Sequence, residues 1–272
     1  MIATLTEKKK INKNLKNLFG MLIPKLSYEI KFFKNEPVIN YFINKKVKKK
    51  HINEILKNHI NNVLCSENVI SLFGNHLRRY TQSRQFTTNL CINAFLRILN
   101  ISNINPENLT LTLLDLNGEY VNLLDRLIFY SKNISVVSNN LEIYSKKQEE
   151  LLENYGASIT LNSNIDWLFK SKILIAPEKI KVSLPLKQDC IIFTGENSTL
   201  PIKGTVYYKF KFPKFKEIEK ILPKDIQQED FLAALYDICK KAEIKNLVPY
   251  YCFNGCEYIS LKSISRKIYL QF

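Results

Sequence analysis

The amino-acid sequence predicts an α/β protein built on a Rossmann-like parallel sheet with helices on both faces. Between residues 109 and 195, short continuous apolar runs alternate with amphipathic helical segments. Strands that read as continuous apolar runs are typical of a parallel sheet that is buried on both faces. Asn139 or Asn140 can cap the start of the helix predicted at residues 142–155, and Gly156 can cap its end.

The elements of this central segment follow from its apolar runs. Strands are predicted at residues 109–116, 134–138, 158–161, 172–176 and 190–194. Helices are predicted at residues 121–131, 142–155 and 165–170. Residues 103–108, which contain Pro106, are the predicted boundary before the Rossmann-like domain, which we place at residues 106–204.

The flanking segments differ from the centre in pattern. Residues 1–105 are predicted to be a basic, mainly helical region, with breaks at Pro24 and Pro37 and a second helix at residues 87–99. Its first helical stripe consists of Ile52, Ile55, Leu56, Ile60, Val63 and Leu64. Residues 205–272 are predicted to form a strand, a helix and a hairpin that turns at Asn254-Gly255, an α+β extension.

The excess positive charge lies in the first third of the chain. The whole chain has a formal net charge of +15, and residues 1–100 carry 14 Lys and four Arg against five Glu. Lysine runs are usually solvated surface, but a concentrated basic region also fits an anionic partner. The candidate partners are nucleic acid, an acidic protein and a phosphorylated small molecule.

The ends of the first two predicted strands form the candidate ligand site. In an open parallel sheet, ligands bind beyond the carboxyl ends of the strands, where the strand order reverses. Six residues lie there: Asn117, Gly118, Glu119, Tyr120, Ser138 and Asn139. We expect a ligand, if one binds, to contact these six residues.

Residues 109–195 resemble the nucleotide-binding domain of NAD(P)-dependent dehydrogenases, more particularly those of the shikimate dehydrogenase type. The resemblance lies in the strand and turn at 113–118, the strand at 134–138, and the helix and strand at 165–177. It implies a dinucleotide at the turn and an oxidoreductase activity. Of the family's Gly-x-Gly-x-x-Gly pattern, this chain keeps only Gly118. Residues 1–100 have no recognisable counterpart of the family's catalytic Lys and Asp.

The residues after the second strand bear on the cofactor that this resemblance implies. An acidic residue there binds the ribose of NAD, whereas this chain has Ser138, Asn139 and Asn140. NADP is therefore favoured over NAD. Lys146 and Lys147 can approach a 2′-phosphate, although both are also typical of a solvated helix face.

A second resemblance involves the same turn. Residues 113–119, Leu-Leu-Asp-Leu-Asn-Gly-Glu, look like the first motif of S-adenosylmethionine-dependent methyltransferases, in which a strand ends in Asp-x-Gly-x-Gly. Here one glycine is present, displaced by one position. The acidic residue that the family carries after the second strand is absent.

A cluster of arginines in the basic region is the candidate anion site. The chain has six arginines, and three of them, Arg78, Arg79 and Arg84, lie within seven residues. Arginine offers a planar fork of donors that suits phosphate or carboxylate. We expect these three side chains to bind an anion.

No metal site is expected from the sequence. A two-residue turn would pair Phe253 with Cys256 and place Cys252 on the opposite face of the hairpin, so the two thiols would not share an ion. The histidines, His51, His59 and His76, lack a metal-binding spacing. We expect Cys190 to be buried and the two hairpin cysteines to be partly accessible.

The sequence leaves the activity open. No apolar stretch approaches the roughly 20 residues of a membrane helix, and no signal peptide is recognised, so we expect a cytoplasmic protein with free thiols. The first hypothesis is that the chain carries a degenerate Rossmann-like domain with a non-catalytic or unrecognised role. The alternatives are an NADP-dependent oxidoreductase relative, a methyltransferase, and a nucleic-acid-binding protein.

Overall fold

The computed structural model describes residues 2–7, 26–33, 35–44, 47–58, 63–77, 83–223, 225–238 and 245–272. The chain divides into two compact units. Unit 1 comprises Met1–Ser83 and Lys214–Lys245, and unit 2 comprises Arg84–Pro213 and Asn246–Phe272.

Strands and helices alternate through most of the described chain. The strands are β1 (Ile2–Glu7), β2 (Leu26–Phe33), β3 (Glu36–Ile43), β4 (Val63–Cys65), β5 (Thr110–Leu114), β6 (Asn133–Val137), β7 (Ile159–Asn162), β8 (Ile173–Ala176), β9 (Ile191–Thr194), β10 (Thr205–Lys211), β11 (Tyr251–Phe253) and β12 (Tyr258–Ser260). The helices are α1 (Lys49–Asn58), α2 (Glu67–Phe73), α3 (Arg84–Ser102), α4 (Leu124–Leu127), α5 (Leu141–Tyr155), α6 (Lys216–Glu219), α7 (Gln228–Ile238) and α8 (Leu261–Tyr269). Short 3-10 turns lie at Asn75–Leu77, Val121–Leu123 and Ile165–Lys170.

Unit 2 contains the predicted Rossmann-like sheet. Its described strands form an eight-stranded sheet in the order β12-β11-β10-β9-β8-β5-β6-β7. The strands from β10 to β7 are parallel, and β11 and β12 add an antiparallel hairpin at one edge. Helix α5 packs against β7, and α3 packs against β9 and β10. The predicted α/β fold class is confirmed.

The central strands form because their side chains are apolar on both faces. All four residues of β8 and all four of β9 are buried, as expected for a sheet flanked by helices. Helix α5 ends where predicted. Gly156 adopts the left-handed conformation with φ 62° and donates its N–H to carbonyls of the last turn, a conformation that costs other residues about 1 kcal/mol or more.

Residues 1–105, predicted to be a mainly helical region, also contain strands that the sequence pattern did not indicate. Unit 1 contains a sheet in the order β2-β3-β1-β4, in which β1 is parallel to β3 and β4, and β2 is antiparallel to β3. Helix α1 is present and buries Ile52, Ile55 and Leu56. Val63 and Leu64, predicted to continue the helical stripe, lie in β4 instead. A short buried apolar run fits a parallel strand as well as a helix, and periodicity alone does not separate the two.

The compact units also differ from the predicted domains at 1–105, 106–204 and 205–272. Helix α3 belongs to unit 2 instead of the N-terminal region, and residues 214–245 belong to unit 1. The predicted C-terminal extension is therefore divided. Strand β10 pairs with β9 and continues the Rossmann-like sheet, so residues 205–213 are part of that sheet.

Three local predictions need correction. The predicted helix at 121–131 is a 3-10 turn followed by the single turn of α4. The hairpin pairs Phe253 with Tyr258 instead of Cys256, because the Asn254 side chain accepts the backbone N–H groups of Cys256 and Glu257 and closes a longer turn. The second strand of the predicted hairpin is short, Tyr258–Ser260, and the next residue, Leu261, starts α8, for which Ser260 provides the N-cap.

Candidate functional site

The order of the parallel strands locates the candidate site within unit 2. From β7 to β10 the order is β7-β6-β5-β8-β9-β10. Strands β6 and β7 therefore lie on one side of β5, and the chain then crosses to the other side of β5, where β8, β9 and β10 follow. The crevice beyond the carboxyl ends of β5 and β8 is the switch point at which such sheets bind ligands. The predicted site residues Asn117 to Tyr120 follow β5 at this place.

A buried carboxylate closes the turn after β5. Asp115 directly follows the strand and is 4% exposed. Its Oδ1 accepts the N–H of Gly118 at 3.0 Å, and its Oδ2 accepts the N–H of Tyr120 at 2.7 Å. Tyr144 of α5 donates its hydroxyl to the same Oδ2 at 2.5 Å. The carboxylate thus binds the amide groups that a phosphate would need at this turn.

The Tyr144 hydroxyl is fixed as a donor. Tyr144 is fully buried, and this burial, followed by the hydrogen bond to Asp115, raises the pKa of its hydroxyl far above the ordinary value. Tyrosine burial and the neighbouring negative charge both disfavour the phenolate. The pair therefore acts as a neutral donor on a charged acceptor, which is a strong type of hydrogen bond.

The turn is tight, and the helix after it is short. Gly118 adopts φ 79°, and a Cβ at this position would lie 3.3 Å from Asn140 Nδ2. The helix that follows is a single turn, α4. A helix this short presents few free N–H groups and a weak dipole toward an anion.

The end of β6 is closed by hydrogen bonds of its own. The backbone N–H of Ser138 donates to the carbonyl of Asn162, and that of Asn139 donates to the carbonyl of Leu116. Ser138 is fully buried, and its hydroxyl oxygen accepts the N–H of Asn140 at 3.1 Å. The predicted residues of both strand ends thus lie side by side, and the backbone N–H groups of four of them are engaged within the chain: Gly118, Tyr120, Ser138 and Asn139. Whether they bind a ligand stays a prediction.

A charged cluster lies beside this turn. Arg84, the first residue of α3, forms ion pairs with Glu119 and Glu178. Tyr120 donates its hydroxyl to Glu178 Oε1 at 3.2 Å. Burial raises the pKa of the Tyr120 hydroxyl, and the hydrogen bond with Thr88 opposes this shift. The cluster brings two carboxylates to the crevice with one guanidinium between them.

The two lysines considered for a 2′-phosphate are both ion-paired. The Lys146 ammonium lies 2.7 Å from Glu142 Oε1 on the exposed face of α5. Lys147 is largely buried, and its ammonium lies 2.6 Å from Asp125 Oδ1 and 2.9 Å from Glu150 Oε1. Neutralised ammonium groups attract a phosphate less than free ones.

The predicted anion site is described only in part. Arg78 and Arg79 lie outside the described residues. Arg84 is described, and its guanidinium already contacts two carboxylates. Anion binding by the three arginines stays a prediction.

Cysteines and histidines do not converge in the described residues. Within the ranges that the structure covers, no three His, Cys, Asp or Glu side chains are placed to hold a metal ion. The prediction that Cys190 is buried is confirmed. The prediction that both hairpin cysteines are partly accessible is wrong for Cys252, which is buried, whereas Cys256 is exposed. The reason is the longer turn, which projects residue 256 into solvent, while residue 252 faces the core. His59 lies outside the described residues.

Three residues of the site were not singled out from the sequence: Asp115, Tyr144 and Glu178. For Asp115 a signal existed, because an Asp at the end of a strand and before a turn commonly accepts backbone N–H groups two or more residues on. Tyr144 and Glu178 carry no such signal, since they reach the turn from α5 and from the loop after β8.

Comparison with known proteins adds no assignment to this geometry. The chain matches no protein-family model and no curated protein sequence. Among the helices of the described ranges, none combines the length and apolar character needed to cross a bilayer.

Proposed function

We propose that unit 2 is a non-catalytic Rossmann-like scaffold that holds no dinucleotide at the β5 turn and serves to bind a partner. The observation that carries this proposal is the Asp115 carboxylate, which accepts the N–H groups of Gly118 and Tyr120. In dinucleotide-binding proteins, glycines and a helix N-terminus leave such groups to the pyrophosphate. Here the chain's own carboxylate takes them.

Electrostatics support the same proposal. A pyrophosphate at this turn would approach the Asp115 carboxylate, with Glu119 and Glu178 close by. At the low dielectric of a partly buried site, like charges a few ångströms apart repel by several kcal/mol. Arg84 is the cation seen between them, and it is shared by the two glutamates.

The alternatives remain distinguishable by the ligands they require. The strand order of the parallel sheet favours an NADP-dependent oxidoreductase relative, since it is the order of dinucleotide-binding sheets. The methyltransferase alternative uses the same turn but needs S-adenosylmethionine, which has no phosphate. Each alternative therefore predicts stabilisation by a different ligand.

A thermal-unfolding screen tests the proposal. NADP, NAD, S-adenosylmethionine and adenosine are each added at millimolar concentration, and the melting temperature is compared with that of the free protein. A ligand at 100 times its dissociation constant stabilises the native state by about 2.7 kcal/mol. We expect no shift with any of the four. A saturable shift with NADP or S-adenosylmethionine would replace the scaffold proposal by the corresponding alternative.

A second candidate function is binding of nucleic acid through the basic N-terminal region, residues 1–105. Helix α1 buries its apolar side chains and leaves Lys49, Lys50 and Lys57 exposed. Binding of labelled DNA and RNA is measured at two salt concentrations, because phosphate contacts give a steep loss of affinity with salt. The comparison variant replaces Arg78, Arg79 and Arg84 with Ala. Salt-sensitive binding that this variant loses supports the arginine site, and absence of binding at low salt excludes nucleic acid.

A further inference from the structure

An exposed apolar strand borders the sheet of unit 1. Within the described residues, β2 pairs with β3 alone and forms one edge of the sheet. Tyr28, Ile30 and Phe32 point to the same face of β2 and are 65%, 52% and 66% exposed. Long, apolar, exposed edge strands are templates for pairing with another chain, and proteins usually block them with charges, Pro or bulges.

The sequence of this strand is self-complementary about its centre. Residues 28–32 read Tyr-Glu-Ile-Lys-Phe, so an aromatic residue lies at each end and opposite charges flank Ile30. Glu29 and Lys31 point to the face opposite the apolar stripe, where Lys31 Nζ lies 2.9 Å from Glu29 Oε1. Both charged side chains are partly exposed and accessible to a neighbouring strand.

We propose that β2 pairs in antiparallel register with β2 of a second copy of this chain, around a two-fold axis at Ile30. In this register Glu29 lies opposite the partner's Lys31, and Tyr28 lies opposite the partner's Phe32. By symmetry each pair occurs twice, as in any isologous interface. The two four-stranded sheets then join through their β2 edges into one continuous sheet.

The charges select this register over its neighbours. An axis at Glu29 would place the two Glu29 side chains opposite each other, and an axis at Lys31 would do the same with the two lysines. Directly opposed like charges destabilise a strand pair, whereas opposite charges and aromatic pairs stabilise it. The register centred on Ile30 is thus favoured on both faces. This inference concerns unit 1 and does not rest on the function proposed for unit 2.

Charge-swap variants test the pairing by sedimentation equilibrium of the full chain. Glu29→Lys and Lys31→Glu each turn two attractive cross-strand pairs into two repulsive ones. With pair energies of about 0.2–1 kcal/mol, each variant weakens dimerisation by about tenfold. Equimolar mixing of the two variants restores attraction at both positions, so we expect a heterodimer of near wild-type affinity. Glu54→Lys and Lys49→Glu on α1 are controls for net charge, and circular dichroism confirms that every variant is folded.

Each outcome bears on the proposal. Weaker self-association of both single variants, with rescue on mixing, supports it. A wild-type chain that stays monomeric at all accessible concentrations overturns it. A dimer whose affinity neither charge swap changes also overturns it, since another surface would then form the contact. Weakening without rescue on mixing overturns the Ile30-centred register.

Cross-linking gives an independent test of the axis. Opposed residues in antiparallel strands have Cα atoms about 4.5–5.5 Å apart, within the range of a disulfide. In a Cys256→Ser background, oxidation should link Ile30→Cys into covalent dimers and leave Tyr28→Cys, the matched control, unlinked. Equal linking of both variants, or linking of neither, contradicts the two-fold axis at Ile30.

Discussion

Tyr144 donates a hydrogen bond of 2.5 Å to Asp115 Oδ2 and thereby joins α5 to the turn after β5. The same carboxylate accepts two backbone N–H groups of the turn. A single buried side chain thus fixes the loop that, in dinucleotide-binding sheets, is shaped by glycines and a bound pyrophosphate.

Removal of the Asp115 carboxylate should destabilise the protein markedly. Asp115→Ala leaves three donors without their acceptor, and we expect the free energy of unfolding to fall by about 3 kcal/mol. Tyr144→Phe removes one donor and should cost about 1–2 kcal/mol. Urea denaturation of both variants and of the double variant gives a coupling energy, which we expect to exceed about 0.5 kcal/mol. Asp166→Ala, at an exposed position, is the control, and a cost below 1 kcal/mol for Asp115→Ala would contradict the role assigned to it.

The buried and the exposed lysine of α5 should differ in their contribution to stability. Lys147→Met leaves Asp125 and Glu150 without their shared cation, and we expect a loss of about 1–3 kcal/mol. Lys146→Met is the matched control, since its pair with Glu142 is fully exposed and screened by solvent, so we expect little change in stability. Chemical denaturation measures both losses. Equal losses in the two variants would show that the burial of Lys147 has no energetic effect.

The same ion pairs predict a pH dependence. Burial lowers the pKa of Lys147, but the hydrogen bonds with Asp125 and Glu150 outweigh it and the pKa is raised from 10.5. The folded state therefore holds this proton more tightly than the unfolded state. The contribution of charged Lys147 to the free energy of unfolding is fully present below pH 10.5. It is lost as the pH rises through the pKa of Lys147 in the folded state. The wild type should accordingly lose more stability than Lys147→Met between neutral pH and pH 11.

Four of the described cysteines should fall into two reactivity classes. Burial raises the pKa of the Cys190 thiol to about 12, and it also raises the pKa of Cys91 and Cys252. Since the thiolate is the reactive form, these three residues should resist alkylation in the native protein, whereas exposed Cys256 reacts. Peptide mapping after N-ethylmaleimide treatment measures this. Labelling of Cys190 as fast as Cys256 would contradict its burial.

The Rossmann-like sheet was predictable because local and tertiary signals agree there. The predicted end of α5 coincides with the observed one because Gly156 ends the helix, and the predicted and observed starts differ by one residue. The strands of unit 1 were missed although β2 alternates exposed Tyr28, Ile30 and Phe32 with residues of the other face. That alternation was obscured because Pro37 was interpreted as a helix break, whereas it lies in β3, paired with Phe32.

The candidate site was predictable in place but not in chemistry. The place of the site follows from the ends of the first two predicted strands, which the apolar runs indicate, whereas the strand order was not predicted. The contact of Tyr144 with Asp115 depends on how α5 packs, 29 positions along the chain, and no local pattern encodes it. The pairing of Lys147 with Asp125 is likewise tertiary.

The most direct test of the central claim follows the amide resonances of the turn itself. In a ¹H–¹⁵N correlation spectrum, the Gly118 and Tyr120 signals are monitored while NADP is added to millimolar concentration. If the Asp115 carboxylate keeps these N–H groups, both resonances stay unchanged throughout the titration. Saturable shifts centred on Gly118 and Tyr120 would show that a dinucleotide displaces the carboxylate, and would contradict the scaffold function.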